Sequence, residues 1–428
     1  DRDFESASKP SEVALFSGGL DSLAGCLNVI ENNGKAALIS HRSNPKMAGW
    51  QKELVEELVK PLPQQQKPLH IPVWVHKDSE ISHEYSQRTR SFLYASLAAT
   101  VAHLFKLKGF NFYENGVVSM NLPISAQVIG ARATRTTHPQ TLKGYSDLFS
   151  RLVNKTFTVE NPFVWKTKSE IVGLIKKSRP DLIKRTRSCT RTHEVTKLHT
   201  HCGACSQCID RRFAMLAAKA EKHDPEEMYA IDLLTGPRKE GVDRTMADAF
   251  TRTAIEIVGM SEIDFFSRFG ESARAIRNLP GTADQVGQQI LDLHKKHASE
   301  VTGALKTSLK THADDILKRK LPESCILMLA GWPSKQKPKT LTCSDDFRNI
   351  KYDSQEWSLS LNQSRIVQRL IEAADKGTPE IGQGTLLEDL GNSSKRMKDV
   401  IKGSTAWKTL IVGGKTKGTY RINPQFSP

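Results

Sequence analysis

Val13-Ala-Leu-Phe16 runs into Ser17-Gly-Gly-Leu-Asp-Ser22 and then into Leu23-Ala-Gly-Cys-Leu-Asn-Val-Ile30. A short apolar run, a glycine turn and an apolar series at helical spacing read as a buried strand, a tight turn and a helix. Working outward, Ala36-Ala-Leu-Ile39 reads as a second strand, 51–59 as a helix and Ile71-Pro-Val-Trp-Val75 as a third strand. A long apolar-faced helix over 91–107 and a strand over 110–114 continue the alternation. The βαβαβ order predicts a parallel sheet with right-handed crossovers and helices on both faces. The turn then falls at the carboxyl end of the first strand, where open α/β sheets bind ligands. Its glycines let an anion approach the backbone, its serines donate hydrogen bonds, and the helix that follows points N–H groups the same way. It is not a Walker A loop, because the Gly-Lys-Ser/Thr ending is missing.

The chain has 428 residues, 62 Lys+Arg against 47 Asp+Glu, and a formal net charge of +15. That length suggests two or three domains, and 38% hydrophobic with 25% charged residues excludes disorder, collagen and coiled-coil arrays. No apolar run is long enough for a membrane helix, and we expect a cytoplasmic protein that neither spans a membrane nor starts with a secretory signal. The charge is uneven: residues 132–212 hold seventeen Lys/Arg against six Asp/Glu, and 395–421 hold eight against one. Such tracts fit phosphate-bearing ligands, nucleic acid or an acidic partner, or serve as solvated faces.

Cys189, Cys202, Cys205 and Cys208 are spaced C-x12-C-x2-C-x2-C, with Gly203 inside the motif. Four thiolates so close match a closed, structural tetrahedral zinc site, with an iron–sulfur cluster as the alternative. Cys26, Cys325 and Cys343 stand singly and read as unliganded.

Together, the Ser-Gly-Gly-Leu-Asp-Ser turn and His201-Cys-Gly-Ala-Cys-Ser-Gln-Cys-Ile-Asp-Arg211 resemble the QueC family, the 7-cyano-7-deazaguanine synthases among PP-loop ATP pyrophosphatases. The resemblance covers about the first half of the chain. It implies a Rossmann-like α/β fold, of the adenine nucleotide alpha hydrolase type, that binds ATP and Mg²⁺ and carries structural Zn²⁺. In that family ATP activates 7-carboxy-7-deazaguanine as an acyl-adenylate, pyrophosphate leaves, and ammonia gives an amide and then a nitrile. Carried over, Ser17, Gly18, Gly19, Leu20, Asp21 and Ser22 hold the nucleotide phosphates and magnesium, with Ser17 and Asp21 as catalytic candidates, while the four cysteines hold zinc. Ser40, at the end of the second strand, and Arg90, before the long helix, join the nucleotide set; Arg88 is a further cation there.

The chain departs from the family where the base is held. In place of a segment resembling Ser-Gly-Tyr-Pro-Asp-Cys-Arg it has Tyr113-Glu-Asn-Gly116 and Ala133-Thr-Arg-Thr-Thr-His-Pro139. Glu114 and Asn115 either meet a guanine-like edge or cap the next element. Arg135, Thr136, Thr137 and His138 offer a cation, hydroxyls and an imidazole for a substrate, with His138 a candidate base or a structural histidine. Lys166 and Lys168 are anion candidates or members of a solvated helix face.

We divide the chain into a QueC-like domain over 1–235, a helical extension and linker over 236–345, and a further domain over 346–428. In the last, helices over 363–374, 386–390 and 393–401 precede β-like runs over 407–412 and 419–422, with a glycine-lysine tip over 413–418. Three helices and a two-stranded wing describe a winged helix. Lys395, Arg396 and Lys398 on its third helix and Lys415 and Lys417 on its tip suit DNA, and the same module serves elsewhere as a protein-docking unit. This long form resembles the QueC-like components of bacterial anti-phage operons, such as QatC of the Qat system or its type IV CBASS counterpart. The resemblance implies a protein amine, such as an N-terminus, as acceptor in place of ammonia. A protein partner encoded nearby and a homodimer are further expectations. The rival readings are a genuine synthase using ammonia and a nucleotide-sensing, non-catalytic module that binds DNA or protein.

Overall fold

A computed structural model describes residues 9–75, 89–125, 135–191, 195–331, 341–344, 346–352, 355–375, 378–388, 390, 396–414, 416–424 and 426. Two compact units make up the chain, 1–332 and 333–428. Among the described residues no helix is long and apolar enough to cross a membrane.

The first unit opens with β1 (Glu12–Leu15), α1 (Leu20–Glu31), β2 (Ala36–His41), α2 (Pro45–Val59), β3 (Leu69–Val73), α3 (Arg90–Leu104) and β4 (Gly109–Asn111). Then come α4 (Gly116–Met120), α5 (Pro139–Val153), β5 (Thr158–Glu160), α6 (Lys168–Ser178) and α7 (Ser206–Ala217). The five strands form one sheet in the order β3-β2-β1-β4-β5, parallel throughout, with Val13 opposite Ala37, Ala14 opposite Asn111 and Leu38 opposite His70. This architecture is consistent with a Rossmann-like PP-loop fold. Successive β1 and β2 residues enter different cores. Ala14, Phe16, Ala36 and Leu38 pack with α1, α6 and α7, whereas Val13, Ala37 and Ile39 pack with α3 and α5. Strands covered on both faces must be apolar throughout, which is why these runs show no polar alternation. The chain leaves β1 toward β2 and β3 and returns to β4 on the other side. The carboxyl ends of β1 and β4 therefore flank a topological switch point, the place where open α/β sheets bind ligands.

The helices reach further, or less far, than periodicity predicts at several ends. α2 starts at Pro45 because the Asn44 side chain accepts from Met47 N and Pro45 suits the first helical turn. β3 is shifted back by two residues, and the predicted strand over 110–114 ends at Asn111, its last residues forming the connection to α4. β5 was not anticipated.

The extension contributes α8 (Val242–Ile257), α9 (Glu262–Arg268), α10 (Ala273–Ile276), α11 (Ala283–Thr311), α12 (Ala313–Leu317) and α13 (Ile326–Gly331). Its apolar faces share one core with Met120, Leu122, Ile209 and Phe213, so these helices are part of the first unit as far as 332.

The second unit starts with an antiparallel sheet, β6 (Thr342–Cys343), β7 (Asn349–Tyr352) and β8 (Gln355–Ser358), of which β6 lies in the stretch expected as linker and β7 and β8 precede the first expected helix. It continues with α14 (Leu361–Asp375), β9 (Ile381–Gly382), α15 (Gln383–Glu388), α16 (Met397–Ile401), β10 (Ile411–Gly413) and β11 (Thr419–Ile422). The last three strands form a sheet in the order β10-β11-β9, antiparallel throughout. One apolar core holds Ile350, Trp357, Val367, Leu370, Met397, Ile401 and Ile422 together. Lys395 and Lys415 lie outside the described residues.

Candidate functional site

The turn after β1 has the backbone geometry expected of an anion-binding turn. Gly18 has φ +86°, a conformation that L side chains avoid, and Gly19 starts α1 without any side-chain cap. The first N–H groups of this twelve-residue helix therefore have no side-chain cap and are open to solvent or a ligand. Ser17 Oγ accepts from Gly19 N at 3.3 Å and lies 3.3 Å from Ser22 Oγ, which donates to Gly19 O at 3.1 Å. Two neighbours hold the turn from outside: Gln51 Nε2 donates to Ser17 O at 3.2 Å, and Arg187 N donates to Gly18 O at 3.0 Å. Leu20 is wholly buried and anchors the helix.

Asp21 is engaged through both carboxylate oxygens. Its Oδ1 accepts from Asn115 N at 3.0 Å and Asn115 Nδ2 at 3.2 Å, and its Oδ2 is ion-paired with Lys168 Nζ. Lys168 is only 4% exposed, which excludes the solvated-face reading. Burial alone would lower its pKa, but the Asp21 and Asp210 charges outweigh it and hold the amine above its ordinary value. Asp210 lies 3.7 Å from the same nitrogen, and burial pushes its carboxyl up. Sequence reasoning missed Asp210, although it stands in the motif quoted for the cysteines. A visible signal did mark Lys168: Thr167-x-x-Glu170 is a complete capping box, which places residue 168 at the start of a helix.

After β4, Asn115 rather than Glu114 is the cap, its Oδ1 accepting from Val118 N at 3.0 Å. Glu114 turns to Thr137, whose hydroxyl donates to it; Thr137 lies 3.0 Å from Ser119 Oγ, which accepts from Asn161 Nδ2 at 3.0 Å. Asn161 also reads the Glu114 backbone, accepting from its N–H at 3.2 Å and donating to its carbonyl at 2.7 Å. Burial pushes the Glu114 carboxyl up to about 7, aided by Asp21 and Asp210 and opposed by Thr137 and Lys168.

The other candidates are placed differently. Ser40 is buried, donating to Phe16 O at 2.7 Å and lying 3.0 Å from His70 Nε2, so its hydroxyl serves the sheet. Arg90 begins α3 and stacks on Tyr94, donating to its hydroxyl at 2.9 Å. Arg135 is ion-paired with Glu271 of the extension, and Thr136 lies in the turn beside it. His138 caps α5, its Nδ1 accepting from Gln140 N at 3.2 Å. Burial, then Arg135 and Arg274, lowers its pKa to about 4, so it is neutral at pH 7 and a weak base. Arg88, Ala133 and Thr134 lie outside the described residues.

The Sγ atoms of Cys189, Cys202, Cys205 and Cys208 all lie within 4.8 Å of one another, and those of Cys202 and Cys208 are 3.9 Å apart. A tetrahedron with 2.3 Å zinc–sulfur bonds has edges of about 3.8 Å, so the quartet fits zinc. Ala204 N and Cys205 N donate to Cys202 Sγ at 3.4 and 3.3 Å, orienting that sulfur as a thiolate acceptor. Hydrogen bonds from Cys189, Cys202 and Cys208 lower the Cys205 thiol below its ordinary range. Gly203 (φ +75°) makes the turn, where a Cβ would come within 1.9 Å of Ile231 O. The quartet adjoins the turn after β1 through Arg187, two residues before Cys189, whose guanidinium lies over Trp50 at 5.3 Å. Fully buried Arg211 pins this segment, donating to Asp224 Oδ1 at 2.8 and 2.9 Å, Thr186 Oγ1 at 2.7 Å and Ile183 O at 3.0 Å. Part of the basic tract thus points inward.

The family model described as "QueC: Queuosine biosynthesis protein QueC" matches residues 119–219. Over that stretch the chain is similar to the QueC family. The QueC-like stretch contains Thr137, Asn161, Lys168, the four cysteines and Asp210, and its family supports ATP-dependent, 7-deazaguanine-related enzyme chemistry. A search of curated proteins returned no match.

Two expected outcomes follow. Elemental analysis should find one zinc per chain and none in Cys205→Ser, whose melting temperature should fall on the order of 10 °C, because a structural zinc site contributes folding energy. Glu114 should make stability pH-dependent. With a folded pKa of about 7 against an ordinary 4.5, its neutral form is favoured on folding. That contribution is complete below pH 4.5 and is lost as pH rises through 7. Between pH 5 and 8, thermal melts should show the wild type losing roughly 2 kcal/mol relative to Glu114→Gln; parallel curves would contradict it.

Proposed function

We propose that the chain is an ATP-dependent enzyme that activates the carboxylate of a 7-deazaguanine, such as 7-carboxy-7-deazaguanine, and joins it to an amine. The observation that carries this reading is the convergence, at the carboxyl ends of β1 and β4, of the phosphate turn, the Asp21–Lys168 pair and Glu114. The carboxylate oxygen attacks the α-phosphorus of ATP, and the bond to pyrophosphate breaks. The amine then attacks the acyl carbon, AMP leaves with the bonding pair, and the amine loses a proton. Carboxylates resist nucleophiles until such a leaving group is in place, and the charge that develops on phosphate needs fixed donors. The N–H groups at the start of α1, with Ser17 and Ser22, supply these donors, and the Lys168 ammonium supplies the countercharge. Mg²⁺, brought with ATP, would neutralise further phosphate charge. Glu114, poised between its protonated and ionised forms, is suited to the N–H edge of a deazaguanine ring.

For the acceptor we favour a protein amine, such as an N-terminus in a partner encoded nearby, in the setting of an anti-phage system. Support comes from the changed segment around Arg135–His138 and from a second unit that small-molecule chemistry does not need. The ammonia-using synthase is the alternative. In the second unit the succession of α14, β9, α15, α16, β10 and β11, with β9 and β10 on either side of β11, supports a winged helix.

Pyrophosphate release should require ATP, Mg²⁺ and 7-carboxy-7-deazaguanine together, and should fall about 100-fold in Asp21→Asn, which leaves Lys168 without its closest countercharge. Mass spectrometry of the products should show the acyl group on a protein amine; amide or nitrile formed from ammonia alone would favour the synthase. No pyrophosphate under any of these conditions would refute the enzyme reading. If the second unit grips DNA, duplex affinity of the full chain should fall steeply between about 50 and 200 mM salt and weaken in a Lys398→Ala, Lys417→Ala double variant. Salt-insensitive or absent binding would favour a protein partner.

A further inference from the structure

Helix α11 lies outside the QueC-like stretch, yet it packs against α4, α6 and α7, which carry or adjoin Asn115, Lys168 and Asp210. Glu300 Oε1 accepts from Thr167 Oγ1 at 2.9 Å, and Lys296 Nζ is paired with Glu170 Oε1 at 2.6 Å. These are the two ends of the capping box that opens α6 and presents Lys168. Leu293 packs against the start of α4, where a Cβ on Gly116 would come within 2.6 Å of its Cδ2 and 1.8 Å of Val164 O. The turn carrying Glu114 and Asn115 therefore rests on α11 as well.

Behind Lys168 lies a small cavity lined by Lys168, Asp210, His297 and Glu300, with Phe213 and Val301 among its apolar walls. It leaves about 10 Å³ for the centre of a water-sized molecule, which is room for one water. Asp210 Oδ2 is buried and has no hydrogen-bond partner; at 3.7 Å the Lys168 amine is too far for a good direct bond and well placed for a bridged one. An unsatisfied buried carboxylate oxygen is costly, and one water donating to it while accepting from Lys168 removes the cost. His297 stands on the far wall, held edge-on against Phe250 with ring centroids 5.6 Å apart.

We propose that Asp210, His297 and Glu300 are positioning residues that hold the Lys168 ammonium against Asp21 around one buried water, so that α11 forms the back wall of the nucleotide site. The role of Lys168 toward ATP rests on the functional reading above, whereas the packing of α11 does not. The test is lysine acylation of the native full chain, quantified peptide by peptide by mass spectrometry. Lys168 should be protected in the wild type and acylated at least fivefold faster in His297→Leu and in Glu300→Gln, with surface lysines unchanged. Glu300→Gln is nearly isosteric and serves if His297→Leu does not fold. In both variants kcat and kcat/KM for pyrophosphate release should fall about tenfold together, and Glu300→Asp should restore protection. Unchanged Lys168 acylation in both variants overturns the proposal, whether or not the chain uses ATP. If the acylation contrast holds in a chain that neither binds nor cleaves ATP, the positioning role stands and the functional reading falls.

Discussion

A buried ammonium has to be neutralised where it sits, and the site is organised around that requirement at Lys168. Its amine is ion-paired with Asp21 and lies 3.7 Å from Asp210, and removing one partner of such a pair leaves a charge whose burial costs about 3–5 kcal/mol. Asp21 stands in the first turn of α1, Lys168 starts α6, and Asp210 projects from α7. One charge thus fixes the relative placement of three helices. Through its other oxygen Asp21 also holds Asn115, which ties the turn after β4 to the turn after β1. The relative placement of the two turns thus rests on this arrangement as much as on the sheet.

The cysteine quartet has a comparable but separate part. Its segment touches the phosphate turn through the Arg187 main chain and reaches Trp50 through the Arg187 side chain, while the fully buried Arg211 locks 183–188 to Asp224. Four thiolates leave no open coordination position for a substrate. A metal there would stiffen the wall against which the turn leans, and the chemistry would remain with the groups at β1 and β4.

The net charge of +15 takes on meaning only once the side chains are placed. Lys168, Arg211 and Arg212 are buried and paired inside the central tract. Arg135 is spent on Glu271, and Arg191 on Asp243. A count of basic residues along a sequence treats all of these as available to phosphate, whereas the fold pairs them internally and uses two of them, Arg135 and Arg191, to join the QueC-like stretch to the helices after it.

Patterns set by neighbouring residues were legible in the sequence. The apolar runs of β1 and β2, the glycine turn and the C-x12-C-x2-C-x2-C spacing specified a parallel sheet, a tight strand-to-helix turn and a thiolate quartet, because each depends on backbone conformation or on residues close in the chain. Short polar strands escaped: β6 has two residues, and Gln355-Glu-Trp-Ser358 shows a single buried side chain, Trp357. His138 and Asn115 were seen as candidates, but only the folded chain made them caps. Tertiary structure alone decided that Lys168 faces inward and that Asp210, Asn161 and α11 belong beside the site. Asp21 and Lys168 stand 147 positions apart, and Thr167 and Glu300 stand 133 apart. No periodicity encodes such meetings; they are imposed when burial of the apolar faces brings the helices together and each enclosed charge must find its counterpart.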